Sequence, residues 1–157
     1  MIIPPFPYTT KVLLCQLILE CILSNMKNEH YVFIVDDDLS ARRGIARLLR
    51  AAGHNVQEYA SANEFLDIIT TDDSGCLVLD ARMPGMSGDE LNAELIRRGI
   101  DLSIIVVTGD DDPEMKREAD KMKAVGFFRK PVDGTALLDA VEWALRSKLN
   151  NNNHANM

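Results

Sequence analysis

A chain of 157 residues is long enough for one domain with a real core and too short for two comfortable ones. Its 46% hydrophobic and 26% charged content is ordinary for a globular domain, and a net charge of -7 argues against a nucleic-acid surface, which needs clustered Lys and Arg. The acidic excess suits solubility, a basic protein partner or a hard cation.

Cys15, Cys21 and Cys76 are an odd set without paired metal spacing, which speaks against a disulfide framework or a zinc site. Cys76 opens the run CLVLD and reads as a small buried hydrophobe, and a reducing, cytoplasmic setting fits best. The first patterned stretch, Val12 to Leu23 (VLLCQLILECIL), is apolar apart from Gln16 and Glu20. It falls short of the roughly 20 apolar residues that cross a bilayer. As a leader it has just Lys11 ahead of it and no small-residue cleavage site behind. Two readings stay open: an amphipathic or dimer-forming helix, or a natural start at Met26 with MKNEH leading into the first strand. Residues 1–29 are accordingly set apart as an extension, 30–148 as the domain, and 149–157 as an Asn-rich tail expected to be disordered.

From residue 31, apolar runs alternate with helical periods. The runs are YVFIV (31–35), NVQEY (55–59), CLVLD (76–80), SIIVVT (103–108) and VGFF (125–128). Several are short and continuously apolar, as strands of a parallel sheet covered on both faces should be. Between them, Ile45, Leu48, Leu49 and Ala52 keep helical spacing up to a stop at Gly53. Ser61 begins a second helix through Phe65, Ile68 and Ile69, and Leu91 with Leu95 marks a third, opening after Gly88. A fourth spans about Pro113 to Lys123, with proline suited to the first turn, and the last carries Leu137, Leu138, Val141 and Leu145. Five βα units in succession predict an α/β domain, an open doubly wound sheet of parallel strands with right-handed crossovers.

Such sheets bind ligands beyond the carboxyl ends of their strands, so the residues closing each strand matter most. Strand one closes in Asp36-Asp37-Asp38, strand three in Asp80, strand four in Thr108, and strand five just before Lys130. Carboxylates gathered on one rim repel one another and raise each other's pKa unless a cation sits among them. Oxygen-only ligands without His or Cys point to Mg²⁺. Thr108 offers a hydroxyl and Lys130 a compact positive charge, both suited to phosphoryl oxygens, and Gly109 leaves the approach open. Carboxylate, divalent cation, hydroxyl and ammonium together make a phosphoryl-transfer site. No Ser-His-Asp set, phosphate-cradling glycine loop or cysteine nucleophile competes with it. His30, His54 and His154 read as surface residues.

The motifs IVDDD (34–38), VLDARMPGMSGDEL (78–91), VVTGD (106–110) and FFRKP (127–131) carry a specific resemblance. Over roughly residues 30 to 148 the chain resembles the receiver domain of bacterial two-component response regulators, of the single-domain, chemotaxis-regulator-like kind. The resemblance implies a flavodoxin-like five-stranded (βα)5 fold in which Asp80 accepts a phosphoryl group from a phosphohistidine. It implies Mg²⁺ held by Asp37, Asp80 and the backbone carbonyl of Arg82, with Asp36 acting through water. Thr108 would bond the phosphoryl group, Lys130 would pair with it, and Phe127 would be the switch aromatic that moves with Thr108. The Lys130-Pro131 bond is cis in the family. Asp38 is the extra carboxylate and reads as a helix cap, although a register slip to Asp37 and Asp38 is the competing alignment.

The leading expectation is thus a phosphorylatable signalling module rather than a turnover enzyme. Its partners would be a sensor histidine kinase or a histidine phosphotransfer protein, and a downstream protein target. With only the tail after the last helix, the output is expected to be protein contact or onward phosphotransfer, with no nucleic acid bound directly and no membrane span. A homodimer through the last helix and a strand face is one arrangement this allows. Trp143 falls opposite the apolar stripe of the last helix, as an interface anchor or an isolated surface aromatic. The rival reading is a Mg²⁺-dependent phosphatase of the haloacid dehalogenase type using Asp36, since Asp36-Asp37-Asp38 contains D-x-D. It lacks an acidic pair after Lys130 and a cap domain. A degenerate receiver acting as a constitutive binding module is the third.

Overall fold

The structure, a computed structural model, describes residues 8–26, 29–109 and 113–155. Lys27 and Asn28 of the MKNEH lead-in, Asp110 of VVTGD, and the His154 side chain lie outside the described residues.

All five apolar runs form strands: β1 (Tyr31–Val35), β2 (Asn55–Tyr59), β3 (Gly75–Asp80), β4 (Ser103–Thr108) and β5 (Gly126–Arg129). They pair in parallel in the order β2-β1-β3-β4-β5. This is the flavodoxin-like order, which places a crevice between the C-terminal ends of β1 and β3, where the winding reverses. The period of two along each strand divides the core into two layers. Val32, Ile34, Val78 and Ile105 face one side with Leu49, Leu137 and Val141. Phe33, Leu77, Leu79 and Val106 face the other with Phe65, Leu91 and Met115. Each fully buried large side chain contributes about 1.5–3 kcal/mol relative to exposure.

The helices on the first side are α2 (Leu39–Ala51) and α6 (Gly134–Ala155), and those on the second are α3 (Ala62–Ile68), α4 (Gly88–Arg98) and α5 (Pro113–Lys121). Local chemistry fixes their ends. Asp38 caps α2, accepting from the Ser40 and Ala41 N–H groups at 2.9 and 3.3 Å. Ser61 caps α3, and Ser87 with Glu90 forms a capping box on α4. Gly99 closes α4 in the left-handed region at φ 72°. Gly75 enters β3 at φ 145°, where a Cβ would lie 1.9 Å from the Tyr31 carbonyl oxygen, so the β1–β3 approach requires glycine there.

Three expectations change. The helical period reads Ile68 and Ile69 as one buried pair, but α3 ends at Ile68, which is exposed, while Ile69 turns to extended backbone and enters the core. The Asn-rich stretch from 149, expected to be disordered, continues α6 to Ala155, since extending a nucleated helix costs little per residue. His30 and His54 are half-buried rather than surface residues, each with a buried Nε2 that has no partner among the described residues, and burial lowers the His30 pKa. Both lie on the loops that enter strands, and the Ser74 hydroxyl reaches His30 Nδ1 at 2.9 Å. Val12–Leu23, left open between two readings, lies inside a helix, α1 (Tyr8–Met26), and the large apolar side chains from Val12 to Leu23 stay at least half exposed. Among the described residues no helix is long and apolar enough to cross a membrane.

Candidate phosphoryl-transfer site

Strand termination brings the predicted residues to one rim. Asp36 follows β1 and is 2% exposed, Asp80 closes β3 at 7%, and Thr108 closes β4 fully buried. Asp36, Asp37 and Asp80 each offer an oxygen within 4.8 Å of the others, with Asp37 alone exposed. Asp38 caps α2 and stands outside this set.

Carboxylates this close call for a cation among them, and the chain supplies one itself. Lys130 Nζ lies 2.8 Å from Asp36 Oδ2 and 3.2 Å from Asp80 Oδ2. Burial pulls the Lys130 pKa down, but hydrogen bonds and charge from Asp36 and Asp80 outweigh it and leave it raised. Burial pushes Asp80 up to about 6, helped by the Asp36 charge and opposed by the Arg82 N–H and by Lys130. That N–H donates to Asp80 Oδ1 at 3.0 Å, and the Asp38 N–H donates to Asp36 Oδ1 at 2.9 Å. Lys130 is itself placed by its backbone N–H, which donates to the Thr108 carbonyl at 2.8 Å, and the following bond to Pro131 is cis, as expected.

Phe127 pairs in register with Val106, two residues before Thr108, and packs half-buried against the core on the α3–α5 side. Trp143 is 59% exposed, as its helical phase predicts.

Sequence reading missed Arg42. Its Nη1 donates to the Asp36 carbonyl oxygen at 2.6 Å, and Glu58 lies 3.9 Å from its Nε. Arg42 begins one helical turn after Asp38, so a basic residue four positions into the helix behind an acidic run was the available signal. The donor set is oxygen-only, clustered and anionic, which suits a hard divalent cation. A carboxylate held ionised near neutrality beside an ammonium and a buried hydroxyl can act as a nucleophile toward phosphorus.

Residues 32–142 match the family model described as the response regulator receiver domain. The chain is 43% identical over 114 residues to the transcriptional regulatory protein FixJ of Azorhizobium caulinodans, covering 73% of this chain and 54% of that one. It is 44% identical over 110 residues to nodulation protein W of Bradyrhizobium diazoefficiens, covering 70% and 48%. The chain thus spans about half the length of these curated relatives. Among solved structures, the response regulator StyR superposes with a TM-score of 0.75 at 40% identity, over 82% of this chain and 65% of that one. The FixJ-N crystal structure superposes at 0.68, also at 40% identity, over 74% and 94%.

Proposed function

Because this chain belongs to the response regulator receiver domain family, we propose that it is a phosphorylatable switch whose acceptor is Asp80. The observation that carries this reading is the buried Asp80 carboxyl beside Asp36, with the Lys130 ammonium touching both. An Asp80 oxygen attacks phosphorus of a phosphohistidine on a sensor kinase or a histidine phosphotransfer protein. The new O–P bond forms as the N–P bond breaks, and the imidazole leaves with the electron pair. With its pKa near 6, Asp80 is largely ionised at neutral pH and available for attack.

Asp36, Asp37, Asp80 and the Arg82 carbonyl are the residues that would hold Mg²⁺, which when bound neutralises charge between the carboxylates and the phosphoryl oxygens. Lys130 then exchanges one carboxylate contact for a phosphoryl oxygen, and the Thr108 hydroxyl bonds another. Phe127, in register beside this strand end, carries the change to the surface, a local charge event read by a bistable element. The module performs one self-limited transfer and its reversal rather than turnover. We place it in the cytoplasm, with a protein contact as its output. FixJ of A. caulinodans is a transcriptional regulatory protein by name and about twice as long as the part matched here, so the output of the whole protein is part of the proposal.

The test is labelling with radioactive acetyl phosphate. Label should be lost in Asp80→Asn and survive, at a reduced rate, in Asp36→Asn. Loss in Asp36→Asn with retention in Asp80→Asn would instead support a phosphatase of the haloacid dehalogenase type. Failure to take up label, or to bind Mg²⁺, would revive the constitutive binding module.

A further inference from the structure

At the end of the sheet opposite the carboxylates, a groove runs between the C-terminal ends of α4 and α5 and the loop entering β4. Leu95, Ile100 and Met122 form its buried floor, while Ile96 stands 70% exposed on its edge and Val125 is also exposed. Lys121, Lys123 and Lys148 line it as well. Several basic groups at this end are already committed: Arg97 and Arg98 hold Glu94, and Lys148 holds Asp101. Lys121 and Lys123 have no ion pair among the described residues.

Lys121 in the last turn of α5 complements the helix dipole, which accounts for it without a ligand. Lys123 has no such account. It closes α5 at φ 54°, donating to the Asp120 carbonyl at 3.1 Å, while the Ala124 N–H reaches the Ala119 carbonyl at 2.9 Å. This helix ending normally takes glycine at the left-handed position, as α4 does with Gly99. A side chain is strained there, yet this one ends in a charge with no partner among the described residues, in a groove also lined by two exposed aliphatic residues.

We propose that this groove docks an acidic segment of a partner protein, with an apolar anchor set against Ile96 and Val125 and carboxylates on Lys121 and Lys123. Charge complementarity selects both the partner and the place. A chain of net charge -7 repels an acidic segment overall, and the Asp36, Asp37 and Asp80 cluster at the opposite rim adds to that repulsion. The surface lies at the far end of the strands from Asp80 and needs neither phosphate nor Mg²⁺, so it goes beyond the phosphotransfer reading and its test is independent of it.

The experiment titrates the unphosphorylated full chain, at low ionic strength and without Mg²⁺, with a fluorescent peptide of Glu and Asp around one Leu. A peptide with Lys at the acidic positions is the control. Saturable binding of the acidic peptide that weakens with salt is expected, and Lys121→Gln and Lys123→Gly should each weaken it roughly two- to five-fold. Lys123→Gly should also keep or raise the melting temperature, by up to roughly 4 °C, because glycine suits the left-handed backbone. That opposite movement separates docking from a structural role. Ile96→Ser should weaken binding with the charges intact. Equal binding of the basic peptide, or undiminished binding by the Lys121→Gln/Lys123→Gly double variant, would overturn the proposal. So would a dimer in sedimentation that Lys123→Gly abolishes, because the occupant would then be a second copy.

Discussion

Asp80 sets the pH behaviour of the site. Its folded-state pKa is about 6 against an ordinary 3.8, so between those values the folded chain holds a proton that the unfolded chain has released. The contribution of this group to stability is therefore greatest below the lower value and declines as pH rises through the window. Urea denaturation across pH should show the wild type losing stability relative to Asp80→Asn between about 4 and 6, with no further change above; a flat difference would contradict the burial argument. Lys130 offers the complementary test. Lys130→Met strands two buried carboxylates, and metal-free stability should fall by about 3 kcal/mol at pH 8. The loss should shrink at pH 5, where Asp80 takes up a proton. Asp37 is exposed and lacks the lysine, so Asp37→Asn should relieve repulsion, raising the metal-free melting temperature by roughly 1–3 °C while weakening Mg²⁺ binding measured by calorimetry.

At the scale of elements, strand ends and helix starts are coupled through single residues. Asp38 ends the acidic run and begins α2, whose Arg42 then returns to the Asp36 carbonyl. Asp38→Ala removes two capping bonds and should cost about 1 kcal/mol in chemical denaturation. Because the cap orients the helix that carries Arg42, Mg²⁺ affinity should drop as well; unchanged affinity would uncouple cap and site. Gly75 controls the β1–β3 junction, the pair of strands that brings Asp36 beside Asp80. Gly75→Ala should cost more than the roughly 1–3 kcal/mol of a strained backbone residue, because the added methyl meets the Tyr31 backbone rather than a movable side chain.

Across the whole molecule, the two core layers close without the described side chains of α1, Lys11 to Leu23, none of which belongs to either buried cluster. A chain beginning at Met26 should therefore melt within roughly 2 °C of the full chain, by calorimetry. It should also associate less in gel filtration, having lost an exposed row of leucines and isoleucines. A large drop in melting temperature would show that α1 completes the fold.

The sequence by itself determined the strands, their order along the chain and the residues that end them, because apolar period and turn chemistry are local. YVFIV could be read as a covered strand and Asp38 as a cap without knowing any neighbour. It also determined that carboxylates, Thr108 and Lys130 share a rim, since the βα repeat puts every strand's C-terminal end on one side. What partners those groups find was decided only by tertiary structure. Lys130 bridges Asp36 and Asp80 across 94 and 50 positions of sequence. The half-buried histidines and the groove that Lys123 shares with Ile96 likewise depend on how loops pack. Distances between side chains brought together by the sheet register leave no periodic trace in the chain, and burial, which moves Asp80 to about 6, exists only once the layers close.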